Sequence, residues 1–119
     1  MSNIKRICEK EGVQLGSITG IGAVNHAVLG LYRVSEKEYT AHTFEREMEL
    51  TALTGNVTTK DGDLHVHLHA DLADDDCHVF GGHLNEAIVS ATCELFIHVL
   101  KGSVERKPDS DTGIYLMNL

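Results

Sequence analysis

The chain has no tryptophan, one proline (Pro108), and only three phenylalanines and three tyrosines. So few aromatics leave no platform on which nucleic-acid bases could stack. Positive charge is scarce as well. Ten Lys and Arg stand against eighteen Asp and Glu, a formal net charge of −8 with histidines neutral, and no more than two basic residues are adjacent. That balance repels phosphate and argues against duplex DNA binding by this chain alone. The three cysteines, Cys8, Cys77 and Cys93, are odd in number and form no C-x-x-C pair. With no signal peptide at the start, this usage points to reduced thiols and a cytoplasmic protein. Long apolar runs are missing too. The strongest, Ile88 to Leu100, is broken by Ser90, Thr92, Glu94 and His98 and is too short to span a bilayer. No Walker loop, nucleophile elbow or H-E-x-x-H helix occurs.

What remains is an ordinary globular balance, 42% hydrophobic and 24% charged over 119 residues, enough for one domain (1–119) with its own core. Ile4, Ile7 and Cys8 fall at helical spacing, with Ser2 or Asn3 as the expected N-cap and Gly12 as the stop. Val13–Thr19 reads as a strand broken by Gly20 and Gly22, and Ala23–Val34 as a longer one. Beyond the polar turn Ser35–Glu38, Tyr39–Phe44 is another strand. Glu45–Leu53 reads as a strand entered through a short turn, continued by Asn56–Thr59. The Asp61-Gly62 pair then predicts a two-residue hairpin, with Leu64–Leu72 returning. After the acidic turn Asp74–Asp76, the glycines of Gly81-Gly82-His83 predict a sharp corner. Val89, Ala91, Cys93, Leu95, Ile97 and Val99 hold one face of a period-2 strand, and Gly113–Leu119 reads as the last. The sum is an α+β domain: a mainly antiparallel or mixed sheet with about one N-terminal helix packed on it.

Histidine is the abundant residue. There are eight, and His65, His67, His69, His78 and His83 crowd into one window of the chain. In a strand, His65, His67 and His69 project to one face while Val66, Leu68 and Ala70 project to the other. Two strand imidazoles joined by His83 from a glycine corner can make a three-nitrogen site suited to zinc or another divalent transition metal. The spacing alone fits a solvated histidine face equally well. Glu94 sits on the polar side of its strand, placed either to orient a ligand imidazole or to pair across strands.

Taken in order, GSITGIGA (Gly16–Ala23), ELTALTGN (Glu49–Asn56), VHLHA (Val66–Ala70), GGHL (Gly81–Leu84), TCEL (Thr92–Leu95) and Thr112-Gly113 resemble the plants-and-prokaryotes-conserved (PPC) domain. That domain occurs in plants within AT-hook nuclear proteins and in prokaryotes as a stand-alone chain. The resemblance implies an α+β sheet fold assembled as a homotrimer. It also implies a divalent-metal unit, zinc foremost, on His67, His69 and His83, with no role carried onto His65. Members usually place a β-strand before the first helix, whereas this sequence begins within that helix. The basic Arg-Gly-Arg-Pro AT-hook is absent from this chain. Three functional classes remain open: a metal-pinned interaction module, a DNA-associated regulator by analogy with the plant relatives, and a metal-dependent enzyme. For the last, no nucleophile–base pair is visible, no catalytic residue is assigned, and Glu94 or Glu49 would have to act as base.

Overall fold

The computed structural model describes residues 2–119. Helix α1 (Ser2–Lys10) opens the chain, so Ser2 and Asn3 lie inside its first turn rather than ahead of it. Gly12 ends it as expected. At φ +68° it takes the left-handed conformation, and the Gly12 and Val13 amides donate to the Glu9 and Cys8 carbonyls at 3.3 and 2.8 Å. That pairing closes the orphan carbonyls of the last turn.

Seven strands follow: β1 (Gly16–Arg33), β2 (Glu38–Phe44), β3 (Met48–Lys60), β4 (Asp63–Ala73), β5 (Val79–Val99), β6 (Glu105–Pro108) and β7 (Tyr115–Met117). They form one sheet in the order β2-β1-β5-β4-β3-β6-β7. A further β1–β3 pairing closes β1, β3, β4 and β5 into a ring. All pairings are antiparallel except β3–β6.

Several expected breaks are absent. β1 runs straight through Gly20 and Gly22, absorbing them in register shifts instead of ending. Gly81-Gly82-His83 is no corner: it lies inside β5, with extended backbone, and its residues pair with Asp71, Ala70 and His69 of β4. The hairpin at Asp61-Gly62 forms as read, both residues at positive φ (52° and 83°). β6 had no periodicity to announce it. Four residues held by parallel pairing to β3 are a tertiary product.

The core fills the inner face of the ring. Ile18, Val24, Val57, Leu68 and Leu72 are fully buried there, and α1 lays Ile4 and Cys8 against it over β4. The period-2 face of β5 is only partly used. Cys93, Leu95 and Ile97 pack on the core, while Val89 and Val99 stay about half exposed and Phe96, on the opposite face, is 77% exposed. From Glu86 to Val99, β5 pairs with β1 alone. The molecule is a slab of 41 × 38 × 17 Å, and its radius of gyration of 14.9 Å exceeds the roughly 13.5 Å usual for this length.

Candidate metal centre

Strand alternation sets the first two ligand positions. Val66, Leu68 and Ala70 turn toward the core, so His65, His67 and His69 turn to the outer face of β4. The third comes from register. His83 on β5 is directly opposite His69, and directly opposed residues share a face. Ring centroids of His67, His69 and His83 lie 5.0 to 5.6 Å apart. One ring nitrogen of each falls within 4.8 Å of the others. At Zn–N bonds of about 2.0–2.1 Å, a tetrahedral site needs nitrogens about 3.3 Å apart, within reach of small side-chain rotations. Among the described residues, this is the one such grouping of potential ligands. The donor set therefore fits a single divalent ion.

Glycine clears the ground around the triad. A Cβ on Gly55 would collide with the His67 carbonyl, so only glycine lets β3 approach β4 this closely there. Opposite His83, Gly30 leaves room for the Tyr39 ring, which meets the His83 imidazole edge-on at 5.9 Å.

Burial favours the neutral form of His67 and His83. Burial pushes the His67 pKa down to about 4, helped by the positive charges of His83 and Arg106. Burial also lowers His83, with His69 adding to the effect, and lowers His65, with Arg106 and Lys60 adding to it. No Asp or Glu lines this outer-face cavity to reverse the trend. Neutral imidazole is the form that ligates metal, so little proton competition is met near neutral pH.

The other sequence candidates fall elsewhere. His65 shares the strand face and the cavity but not the nitrogen cluster, its ring centroid 6.5 Å from that of His67. Glu94 is exposed and lies eleven residues beyond His83 on β5, opposite Ile21, roughly 35 Å of strand away. It cannot orient a ligand imidazole. Alternation gave its side of the strand correctly but carried no information about distance. Glu49, the other candidate base, is exposed and paired with Ala73 at the end of β4 remote from the hairpin.

Sequence reasoning missed Arg106. The parallel pairing of β6 sets it beside Lys60, and its guanidinium donates to Thr58 Oγ1 at 2.9 Å, Asn56 Oδ1 at 3.1 Å and the Tyr115 carbonyl at 3.3 Å. Asn56 and Thr58 are the register partners of His67 and His65. Arg106 thus lies on the same face, beside the histidines. An Arg-Lys pair in the polar stretch before Pro108 gave no signal of this.

Comparison with known proteins places the fold. A comparison with curated proteins found no match. Solved structures match nearly the whole chain. A metal-containing protein of Archaeoglobus fulgidus is 38% identical, with a TM-score of 0.92 over 99% of this chain and 84% of that one. A plant- and prokaryote-conserved (PPC) protein of Pyrococcus horikoshii is 39% identical, with a TM-score of 0.93 over 99% of this chain and 82% of that one. A proposed DNA-binding protein of Bacteroides thetaiotaomicron is 28% identical, with a TM-score of 0.95 over 98% of this chain and 82% of that one. The family profile described as the Plants and Prokaryotes Conserved (PCC) domain matches residues 1–101. With that match spanning most of its length, this chain belongs to the PCC-domain family.

Proposed function

We propose that this protein binds one divalent metal ion through His67, His69 and His83, with zinc the ion that the three-imidazole donor set suits best. The observation that carries the reading is the convergence of the three ring nitrogens to within 4.8 Å in a cavity whose lining includes no carboxylate. The Archaeoglobus relative, described as metal-containing, supports it. A bound divalent ion supplies Lewis acidity and lowers the pKa of a coordinated water. The chain's own contribution is to hold three imidazole donors on two paired strands, with Tyr39 and Arg106 beside them.

The same reading includes self-association into a homotrimer in the cytoplasm. Its support is the 17 Å thickness, the β5 edge from Glu86 to Val99 left without a second strand, and the exposure of Ile21, Phe96 and Val99. An apolar, unpaired edge of that length invites another copy, and closed cyclic symmetry is the usual outcome. DNA binding by this chain alone is not part of the proposal, because the net charge of −8 opposes it.

Elemental analysis of protein prepared without a histidine tag, stripped with chelator and reloaded with zinc, tests the metal. About one zinc per chain is expected in the wild type and in His65→Ala. No zinc in the wild type, or equal loss in His65→Ala and His67→Ala, overturns the assignment. Light scattering at micromolar protein is expected to give about three chain masses. A gel shift on duplex DNA at about 0.15 M salt is expected to show no complex.

A further inference from the structure

Arg106 is only 6% exposed, and among the described residues no ion pair involves it. All three of its hydrogen-bond acceptors, Thr58, Asn56 and the Tyr115 carbonyl, are neutral. A buried cation without a counter-charge is costly, and an anion that reached it would offset that cost. The nearest acid in sequence, Glu105, is committed elsewhere: it bonds the Thr59 hydroxyl at 2.6 Å and the Asp61 amide at 2.5 Å. Those three neutral bonds leave one N–H on each terminal guanidinium nitrogen, a match for the two oxygens of one carboxylate.

The surroundings define a ligand space. Arg106 and the triad line a common cavity of about 580 Å³, in the range that holds metabolite-sized molecules. Lys60 adds a second positive charge on the same wall, its Nζ resting 3.8 Å from the Tyr115 ring centroid. Leu31, Val34 and Ile114 supply apolar wall, and no acidic side chain lines the cavity. In a chain of net charge −8, this is a local positive pocket.

We infer that this cavity binds a small organic carboxylate, gripped at one end by Arg106 with Lys60 in support and extending toward the histidine triad at the other. The inference rests on the metal reading only for what meets the far end. Its Arg106 end stands by itself. The general reason is geometric: a planar guanidinium reads a carboxylate bidentately, and a buried one does so with little competition from water.

Calorimetric titration of succinate, its neutral analogue succinamide, and inorganic phosphate into both zinc-loaded and metal-free protein tests this. Zinc content is measured on the same samples. Succinate is expected to bind the zinc-loaded protein at least about tenfold more tightly than succinamide, and Arg106→Gln to weaken it by about tenfold or more. Arg106→Lys should fall between the two, and Lys60→Gln should cost roughly threefold. If Arg106→Gln does not fold, Arg106→Lys and Lys60→Gln decide. Succinate binding that both of these leave at the wild-type level overturns the inference. So does equal binding of succinamide, tighter binding of phosphate than of succinate, or no binding to folded wild type. Should zinc be absent, the metal reading falls while Arg106-dependent succinate binding to the metal-free protein still upholds the carboxylate site. Zinc bound without Arg106-dependent binding removes the carboxylate site alone.

Discussion

Two histidine sites in this one small domain have opposite electrostatic designs. At His26, on β1, Glu45 meets Nδ1 at 2.7 Å and Glu86 meets Nε2 at 2.6 Å, and those hydrogen bonds, Glu45's first, raise the imidazole pKa. At His67 no carboxylate is near, burial dominates, and the pKa falls to about 4. Both side chains lie on strands, so the backbone does not distinguish them. The neighbours do. An imidazole between two carboxylates holds a proton, whereas one among imidazoles, with an arginine nearby, sheds it and offers a lone pair. The acidic chain places no carboxylate in the lining of the one cavity where its histidines converge.

The largest effect that can break this contrast is on metal content. His67→Ala should reduce zinc from about one ion per chain to less than about a tenth, while His26→Ala should leave it unchanged, as read by elemental analysis. Loss in both would mean that the two sites are not separate.

Next comes packing beneath the triad. Gly55→Ala drives a methyl into the His67 carbonyl, so urea denaturation should show a loss of about 1–3 kcal/mol. Zinc affinity should fall with it, and the His26 titration should not move. For comparison, Gly62→Ala strains the positive-φ hairpin position, at a cost of about 1 kcal/mol, without touching the triad.

A direct measure of the contrast is the titration of metal-free protein by NMR. The His67 ring signals should have their midpoint at about 4, and those of His26 should lie above the ordinary histidine value of about 6.5. Coincident midpoints near 6.5 would erase the distinction.

The smallest effects are on stability, and they have opposite signs. His26 binds its proton more tightly when folded, so its contribution is fully present below about pH 6.5 and disappears as pH rises through its raised folded value. His67 binds its proton less tightly when folded. Its contribution is present above about pH 6.5 and is lost as pH falls toward 4. Melting temperatures of His26→Ala and wild type should therefore converge on the alkaline side. Those of metal-free His67→Gln and wild type should differ least on the alkaline side, where His67 is neutral folded and unfolded. Wild type should lose ground to the variant as pH falls from about 6.5 toward 4.

Much of this was legible in the chain. The histidine alternation, the Asp61-Gly62 turn, the Gly12 stop and the β5 period-2 pattern are local, and each is dictated by side-chain stereochemistry over a few residues. The helix and most strands followed from those signals, as did the His67–His69 pair. Glycine misled where its local meaning was ambiguous. Gly20, Gly22, Gly81 and Gly82 read as breaks, yet each sits inside a strand, allowing close passage of a neighbouring backbone or side chain.

What sequence alone determined, then, is the set of groups that can ligate and the strand face that carries two of them. Its glycines and the family resemblance point to His83 as the third. How it reaches the pair was settled by the register of β5 on β4 and not by a corner, and the exclusion of Glu94 by its distance along β5. The placement of Arg106 was settled by a parallel pairing between strands 45 residues apart or more, Thr59 against Glu105 and Lys60 against Arg106. Those are long-range contacts, and no local pattern encodes them. They are fixed when the ring of strands closes and the hydrophobic core selects one register, because a slip of one residue would turn every buried side chain outward.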